Sequence, residues 1–193
     1  SSRFNDTIKA IKSWDWNRDG QWQYPVIIDN MMNLEMLTWA ARQANIPAFK
    51  EIADQHSITT INNHFRDDFS TFHVVDYDTI TGKARGWMTH QGYSDESAWA
   101  RGQAWGLYGY TMMFDETGDS LYLNQAHKIA DFILSHENLP EDKIPYWDFN
   151  APDIPDALRD ASAGAIIASA LLELSTFAAD TSQAKYLENA ETM

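Results

Sequence analysis

Aspartate stands at the start of three helix-like segments, at Asp29, Asp95 and Asp160. An aspartate in this position accepts hydrogen bonds from free backbone N–H groups, and capping is the role that we expect for Asp95 and Asp160. Asp29 differs because the apolar residues 25–28 precede it and methionines follow at 31 and 32. Burial raises a carboxyl pKa, which suits a general acid near neutral pH, although a helix N-terminus lowers it. Asp29 is therefore the candidate general acid, with capping as the alternative.

Tryptophans are concentrated in the loops and near the helix starts. Aromatic faces stack on the C–H faces of sugar rings, although wedging between helices explains any single tryptophan as well. Together these residues favour a carbohydrate site. They are Trp14, Trp16, Trp22, Trp87, Trp99, Trp105 and Trp147.

Arg101 and Trp105 are four residues apart, so they share one face of a predicted helix. Gln91 and Trp99 lie just upstream. An arginine near a helix start is a candidate receptor for a substrate carboxylate, and a salt bridge to one of the many acids is the alternative. His73 lies in a strand-like segment, where a lone histidine is more often structural than functional.

The elements that must position these residues are mostly paired helices. Helical spacing predicts the end of a helix over 3–13, a helix over 29–44 and a second one opened by Pro47. Two further pairs follow, with predicted helices from Ser94, from Ser120, over 157–180 and from Ser182, and Gly118 divides the middle pair. Residues 69–93 predict two short strands around a turn at Gly82.

The connections alternate in length, which decides between a solenoid and a toroid. The pairs open about 65 residues apart, as in repeated helical hairpins. Turns within a pair are short, whereas the loops between pairs are long and rich in aromatic, acidic and proline residues. We therefore expect an all-α toroid whose pocket lies at the end that carries the long loops, with a short β-hairpin near 70–90.

Composition excludes several classes of protein. The chain has 193 residues and a formal net charge of −14, which argues against binding to nucleic acid or to an anionic membrane. It contains no cysteine, so disulfides and thiolate chemistry are excluded. No apolar run approaches the ~18 residues of a membrane span. Residues 15–20 match half of an EF-hand loop, but Val26 stands where that loop needs glutamate, and the histidines lack zinc-site spacing.

Three segments, 24–37, 94–110 and 145–174, together resemble the unsaturated glucuronyl hydrolases of glycoside hydrolase family 88, and the resemblance covers essentially the whole chain. The related family 105 of unsaturated rhamnogalacturonyl hydrolases resembles the chain less closely. The family implies an (α/α)6 barrel of twelve helices, of which this chain would cover roughly the middle seven. We therefore expect residues 1–193 to be an incomplete part of one catalytic domain.

The resemblance also implies a reaction. Such enzymes act on sugars that polysaccharide lyases leave with a C4=C5 double bond, and they hydrate that bond. Asp29 would be the single acid/base catalyst. The family positions that line the site fall on Trp14, His73, Gln91, Trp99, Arg101 and Trp105. A second family aspartate would lie in an N-terminal part that this chain lacks.

The resemblance implies no metal and no organic cofactor, and a bacterial cytoplasm or periplasm as the compartment. The implied partner is an oligosaccharide that carries an unsaturated uronate. Two alternatives stay open beside the hydratase. One is an inverting glycosidase that uses two carboxylates about 6.5–9.5 Å apart. The other is a helical-repeat module that binds sugars without turnover.

Overall fold

The computed structural model describes residues 3–16 and 20–193. Its helices form three antiparallel hairpins, each with a short turn. They are α1 (Leu34–Ala44) with α2 (Pro47–His64), α3 (Ala100–Thr117) with α4 (Ser120–Ser135), and α5 (Ala161–Phe177) with α6 (Asp180–Thr192). Helix α3 packs against both α1 and α5, and each of these three helices packs against its own hairpin partner. This row of hairpins confirms the predicted toroid type of fold.

Local sequence explains where the helices begin and end. Pro47 occupies the first turn of α2, as predicted. Gly118 ends α3 in the left-handed region with φ 69°, which a glycine adopts without steric cost. The Asp119 carboxylate then accepts a hydrogen bond from Leu121 N at 2.9 Å and caps α4. Asn45 closes α1 in the same left-handed region.

A three-stranded antiparallel sheet lies beside the helices. Its order is β3 (Pro25–Ile27), β4 (Val74–Tyr77) and β5 (Ala84–Met88). The predicted hairpin around Gly82, which has φ +73°, is confirmed. The sequence analysis missed β3 because a three-residue strand carries no periodicity of its own.

The helix predicted over residues 3–13 is wrong, so the described residues contain six α-helices rather than about seven. Those residues form an antiparallel pair, β1 (Phe4–Asn5) and β2 (Ala10–Ile11). The Asn5 side chain accepts hydrogen bonds from Thr7 N and Ile8 N at 2.8 and 3.0 Å, which competes with helix formation. Lys9 then turns the chain with φ 63°.

The segment that carries the candidate acid is a 3-10 helix, Ile28–Asn33, and not the first turns of an α-helix. It lies on α3, where three glycines leave room for it. A Cβ added to Gly102 or Gly106 would meet side-chain atoms of Ile28 at 3.3 and 3.6 Å, and one added to Gly109 would overlap Met31. The spacing of these glycines therefore sets how closely the acid-bearing turn approaches α3.

The core lies between α1, α3 and α5 on one side and their hairpin partners α2, α4 and α6 on the other. Its fully buried side chains interlock α3 with α4, α5 and the 3-10 helix; among them are Ile28, Met31, Leu107, Met113, Ile129, Ile133 and Ile167. None of the helices in the described part of the chain is both long and apolar enough to cross a membrane.

Candidate active site

Asp29 lies in the first turn of the 3-10 helix, directly after β3. Its surroundings raise its pKa from 3.8 to about 6. Burial is the main cause, and a backbone hydrogen bond within the residue and the positive charge of Arg101 oppose it. The effect of burial, which the apolar residues 25–28 predicted, therefore outweighs the backbone hydrogen bond and the charge of Arg101. The side chain can hold a proton near neutral pH, as a general acid requires.

His73 faces Asp29 from the residue before β4. Its Nδ1 accepts hydrogen bonds from the backbone N–H groups of His90 and Gln91, at 3.1 and 3.2 Å. Because Nδ1 is an acceptor, the neutral ring carries its proton on Nε2. That atom lies 3.8 Å from Asp29 Oδ2. Burial, with nearby His90, His64 and Arg101, lowers the pKa of His73 to about 3, so the ring stays neutral.

Two buried polar atoms thus face each other across a short gap. Neither Asp29 Oδ2 nor His73 Nε2 has a hydrogen-bond partner among residues 3–16 and 20–193. Buried polar groups of this kind are usually paired. A donor and a carboxyl group that face the same point can bind and orient a polar group or a water molecule.

Trp99 and Arg101 extend this arrangement. The Trp99 ring lies 4.4 Å from the His73 ring, and the Arg101 guanidinium lies over Trp99 at 4.9 Å. Arg101 also forms an ion pair with Asp160. The salt bridge considered as the alternative for Arg101 is therefore present, beside a position from which its charge still reaches Asp29.

A cavity of about 460 Å³ opens beside these residues. Its lining includes the polar residues Gln91, Arg101 and Asp160 and the apolar residues Trp99, Trp147 and Leu158. The cavity offers an arginine and an amide together with indole surface. These are groups that recognise a carboxylated sugar.

The remaining predicted site residues lie at different distances from this centre. The Trp14 ring stacks on Trp16 at 5.3 Å and contacts His90 at 5.6 Å, and the His90 ring in turn lies 6.4 Å from that of His73. The Trp105 ring packs edge-on against Tyr108 at 6.1 Å. The structure therefore joins five of the seven predicted residues through direct contacts, namely Asp29, His73, Gln91, Trp99 and Arg101. Trp14 reaches them only through His90, and the ring contact of Trp105 is with Tyr108.

The comparisons with known proteins agree on one family. An unsaturated glucuronyl hydrolase from Formosa agariphila is 52% identical over 187 residues, which are 97% of this chain and 46% of that protein. The crystal structure of an unsaturated glucuronyl hydrolase specific for heparin matches with a TM-score of 0.95 at 52% identity, over 99% of this chain and 50% of that one. The chain belongs to the unsaturated glucuronyl hydrolase family. No family model matches it.

A second structural match to this family is more distant. The unsaturated glucuronyl hydrolase from Bacillus sp. GL1, responsible for the degradation of glycosaminoglycan, gives a TM-score of 0.91 at 34% identity. The match covers 99% of this chain and 51% of that one. The chain thus spans about half the length of the unsaturated glucuronyl hydrolases that it matches.

In this member of the unsaturated glucuronyl hydrolase family, the two other helix-start acids have different roles. Asp160 caps α5, as predicted, by accepting a hydrogen bond from Ala163 N at 2.9 Å. The prediction that Asp95 caps a helix is wrong, because α3 begins at Ala100. The Asp95 carboxylate instead accepts a hydrogen bond from Thr89 N at 2.8 Å.

Sequence analysis also missed Asp148, which is fully buried. Its carboxylate accepts hydrogen bonds from Tyr93 N, Ser97 Oγ and Asn150 N, at 2.9, 2.7 and 2.9 Å. The bonds from Tyr93 N and Ser97 Oγ hold the loop before α3, and with it Trp99, in place. Asp148 lies within the 145–174 segment that carries the family resemblance, but its type and spacing alone gave no signal of this role.

The described residues contain no group of three or more His, Asp or Glu side chains that could hold a metal ion. The EF-hand-like segment 15–20 lies partly outside the described residues, because these omit 17–19.

Proposed function

We propose that the protein releases an unsaturated uronic acid from lyase-generated oligosaccharides by hydrating the C4=C5 double bond, with Asp29 as general acid and base. The observation that carries the proposal is the buried Asp29 carboxyl group beside neutral His73 and cationic Arg101, with its pKa raised to about 6. The heparin-specific relative and the glycosaminoglycan-degrading relative support a glycosaminoglycan fragment as the substrate.

The residues divide the work as follows. Arg101 binds the uronate carboxylate and offsets its charge. Gln91 and the indole of Trp99 line the same cavity. Protonated Asp29 gives its proton to C4, and the ionised carboxylate then takes a proton from the water that attacks C5. His73, with its proton on Nε2, donates a hydrogen bond beside the reacting atoms and does not exchange its own proton.

The later steps need no further catalyst from this site. Water addition leaves a hemiketal at C5, which opens to a C5 ketone and a hemiacetal at C1. The hemiacetal then releases the neighbouring sugar and becomes an aldehyde. One water molecule is consumed overall, as in any glycoside hydrolysis, but its oxygen ends on C5.

Because the chain spans about half of its relatives, we also propose that residues 1–193 are an incomplete part of one catalytic domain. The assay therefore uses the full-length protein that contains them. We infer a bacterial cytoplasm or periplasm as the compartment, because the relatives that the chain matches come from bacteria and the proposed substrate is made by polysaccharide lyases.

The test follows the ultraviolet absorbance of the conjugated double bond in unsaturated heparin and chondroitin disaccharides. We expect wild-type protein to abolish the absorbance, and Asp29→Asn, which has nearly the same shape, to lose turnover by at least about three orders of magnitude. Persistent absorbance with both substrates, and with an unsaturated rhamnogalacturonan disaccharide, would exclude hydration. Turnover of the rhamnogalacturonan disaccharide alone would show that the protein is an unsaturated rhamnogalacturonyl hydrolase.

Water labelled with oxygen-18 separates hydration from direct hydrolysis. Hydration places the label on C5 of the uronate, whereas an inverting glycosidase places it on C1 of the uronate. Sugar binding by both wild type and Asp29→Asn, without turnover by either, would favour the binding module instead.

A further inference from the structure

The two oxygens of Asp160 serve different partners. Oδ1 accepts the capping hydrogen bond from Ala163 N, and Oδ2 pairs with the Arg101 guanidinium. The backbone of Asp160 is fixed as well, because its N–H donates to Pro145 O at 2.9 Å and its carbonyl accepts from Gly164 N at 3.0 Å. The residue is only 8% exposed. The position of this carboxylate is therefore set by α5 and by the loop before it, independently of Arg101.

Arg101 depends on Asp160 for its own placement. Among residues 3–16 and 20–193, the one hydrogen bond of its side chain is the bond to Asp160. The opposite constraint is the Trp99 ring, over which the guanidinium lies at 4.9 Å. Arginine has five N–H donors in a fixed planar fork. Donors are therefore left for a ligand in the cavity, and Asp160 and Trp99 decide where they point.

The geometry points to Asp160 as a positioning residue, which holds Arg101 against Trp99 and partly neutralises the charge that Arg101 presents to Asp29. This inference rests on the proposed function, because it assigns Asp160 a part in the same reaction. An unopposed Arg101 would favour the ionised form of Asp29 and so deplete the acid. Asp160 thereby allows one arginine to bind a substrate carboxylate next to a carboxyl group that must keep its proton.

The groups that act on Asp29 come from several packed elements. His73, ahead of β4, lies 3.8 Å away and is neutral, and Arg101 on α3 is the cation that acts on Asp29. On α2, His64 is buried and neutral and acts on His73. On α1, Glu35 accepts a hydrogen bond from a tyrosine of α3. Arg101 is thus the charge through which a change at Asp160 reaches Asp29.

Asp160→Asn tests the positioning role, because asparagine caps helices about as well as aspartate but carries no charge. The matched control is Asp119→Asn, which makes the same change at the cap of α4, outside the site. In Asp160→Asn we expect the pKa of Asp29 to fall by about half a unit, as for loss of one charge at intermediate distance and dielectric. In Asp119→Asn we expect no shift.

The primary measurement is the titration of the Asp29 carboxyl carbon by carbon-13 NMR, assigned with Asp29→Asn, in wild type and both variants. It needs no substrate, so it decides the inference even if unsaturated disaccharides are not turned over and the proposed function fails. Identical Asp29 titrations in wild type and Asp160→Asn would show that Asp160 only caps α5.

Where turnover is measured, the profile of kcat/KM against pH is the second readout. The descending limb should move to lower pH by the same half unit in Asp160→Asn. Loss of a cap alone lowers activity equally at all pH values and leaves the limb in place. If Asp160→Asn does not fold, Asp160→Ser against Asp119→Ser repeats the comparison, since serine also caps without charge.

Discussion

Gly109 on α3 lies so close to Met31 that the structure leaves no room for a side chain at this position. A Cβ at this position would overlap the Cβ of Met31 and would lie 3.2 Å from the Met31 carbonyl carbon. Met31 belongs to the 3-10 helix that carries Asp29, and it is fully buried. Because backbone atoms are among the contacts, rotation of a side chain cannot relieve the overlap. Gly109→Ala should therefore push the acid-bearing turn away from α3.

The same substitution at Gly106 is the control. A Cβ there would meet Ile28 at 3.6 Å and Ile129 at 3.7 Å, which is ordinary contact with side chains. Both positions lie inside α3, so both variants gain up to about 1 kcal/mol of helix propensity from glycine to alanine. Overpacking of a core costs about 1–3 kcal/mol. Since the propensity gain is common to both, the difference between them measures the overlap at Gly109.

We expect Gly106→Ala to leave the free energy of unfolding unchanged or raise it by up to about 1 kcal/mol. Gly109→Ala should be about 1–3 kcal/mol less stable than Gly106→Ala. Equilibrium unfolding in urea, followed by circular dichroism, measures both, provided that the m-values agree. Equal stabilities for the two variants, or a more stable Gly109→Ala, would refute the argument that Gly109 is required for close approach.

Three further predictions concern titration and buried polar contacts. With the Asp29 pKa raised to about 6, the protonated acid is lost above that value, so kcat/KM should fall as pH rises through about 6. Buried His56 and His64 have pKa values lowered to about 3 and about 4, so the unfolded chain binds more protons below pH 6.5. The contribution of these two histidines to stability should be complete above pH 6.5 and should then fall by up to about 1.4 kcal/mol per histidine for each pH unit toward those values. Urea midpoints that stay constant from pH 7 to 5 would contradict this. Asp148→Ala should cost about 3 kcal/mol of unfolding free energy because it leaves buried donors unpaired, whereas Asp153→Ala, exposed on the same loop, should change little.

The helices were largely predictable because their signals are local. Pro47 opens α2, Gly118 ends α3 and Asp160 caps α5, and each of these residues acts on backbone groups within one helical turn of its own position. The β4–β5 hairpin was predictable for the same reason, from its strand-forming residues and Gly82. The helix prediction for residues 3–13 failed because the apolar spacing there fits a helix, but the hydrogen bonds of the Asn5 side chain favour a turn between two short strands.

The start of α3 shows the limit of local reasoning. The sequence favours a helix from Ser94, but residues 94–99 stay in a loop, which Asp148 holds by accepting hydrogen bonds from Tyr93 N and Ser97 Oγ. Asp148 is 51 residues further along the chain than Ser97. No pattern within 94–110 could indicate that contact, because the Asp148 carboxylate belongs to the proline-rich loop between α4 and α5. It reaches residues 93–97 only in the folded structure.

The sequence by itself determined the helical hairpins, the acid in an apolar collar and the resemblance to unsaturated glucuronyl hydrolases. Each depends on residue types and on spacings that the chain carries wherever it folds. Only the tertiary structure decided that His73 keeps its proton on Nε2, that Asp160 and Arg101 pair, and that Gly109 admits Met31. Those features arise where distant segments meet, and the charges, donors and free volume at such a junction are not properties of either segment alone.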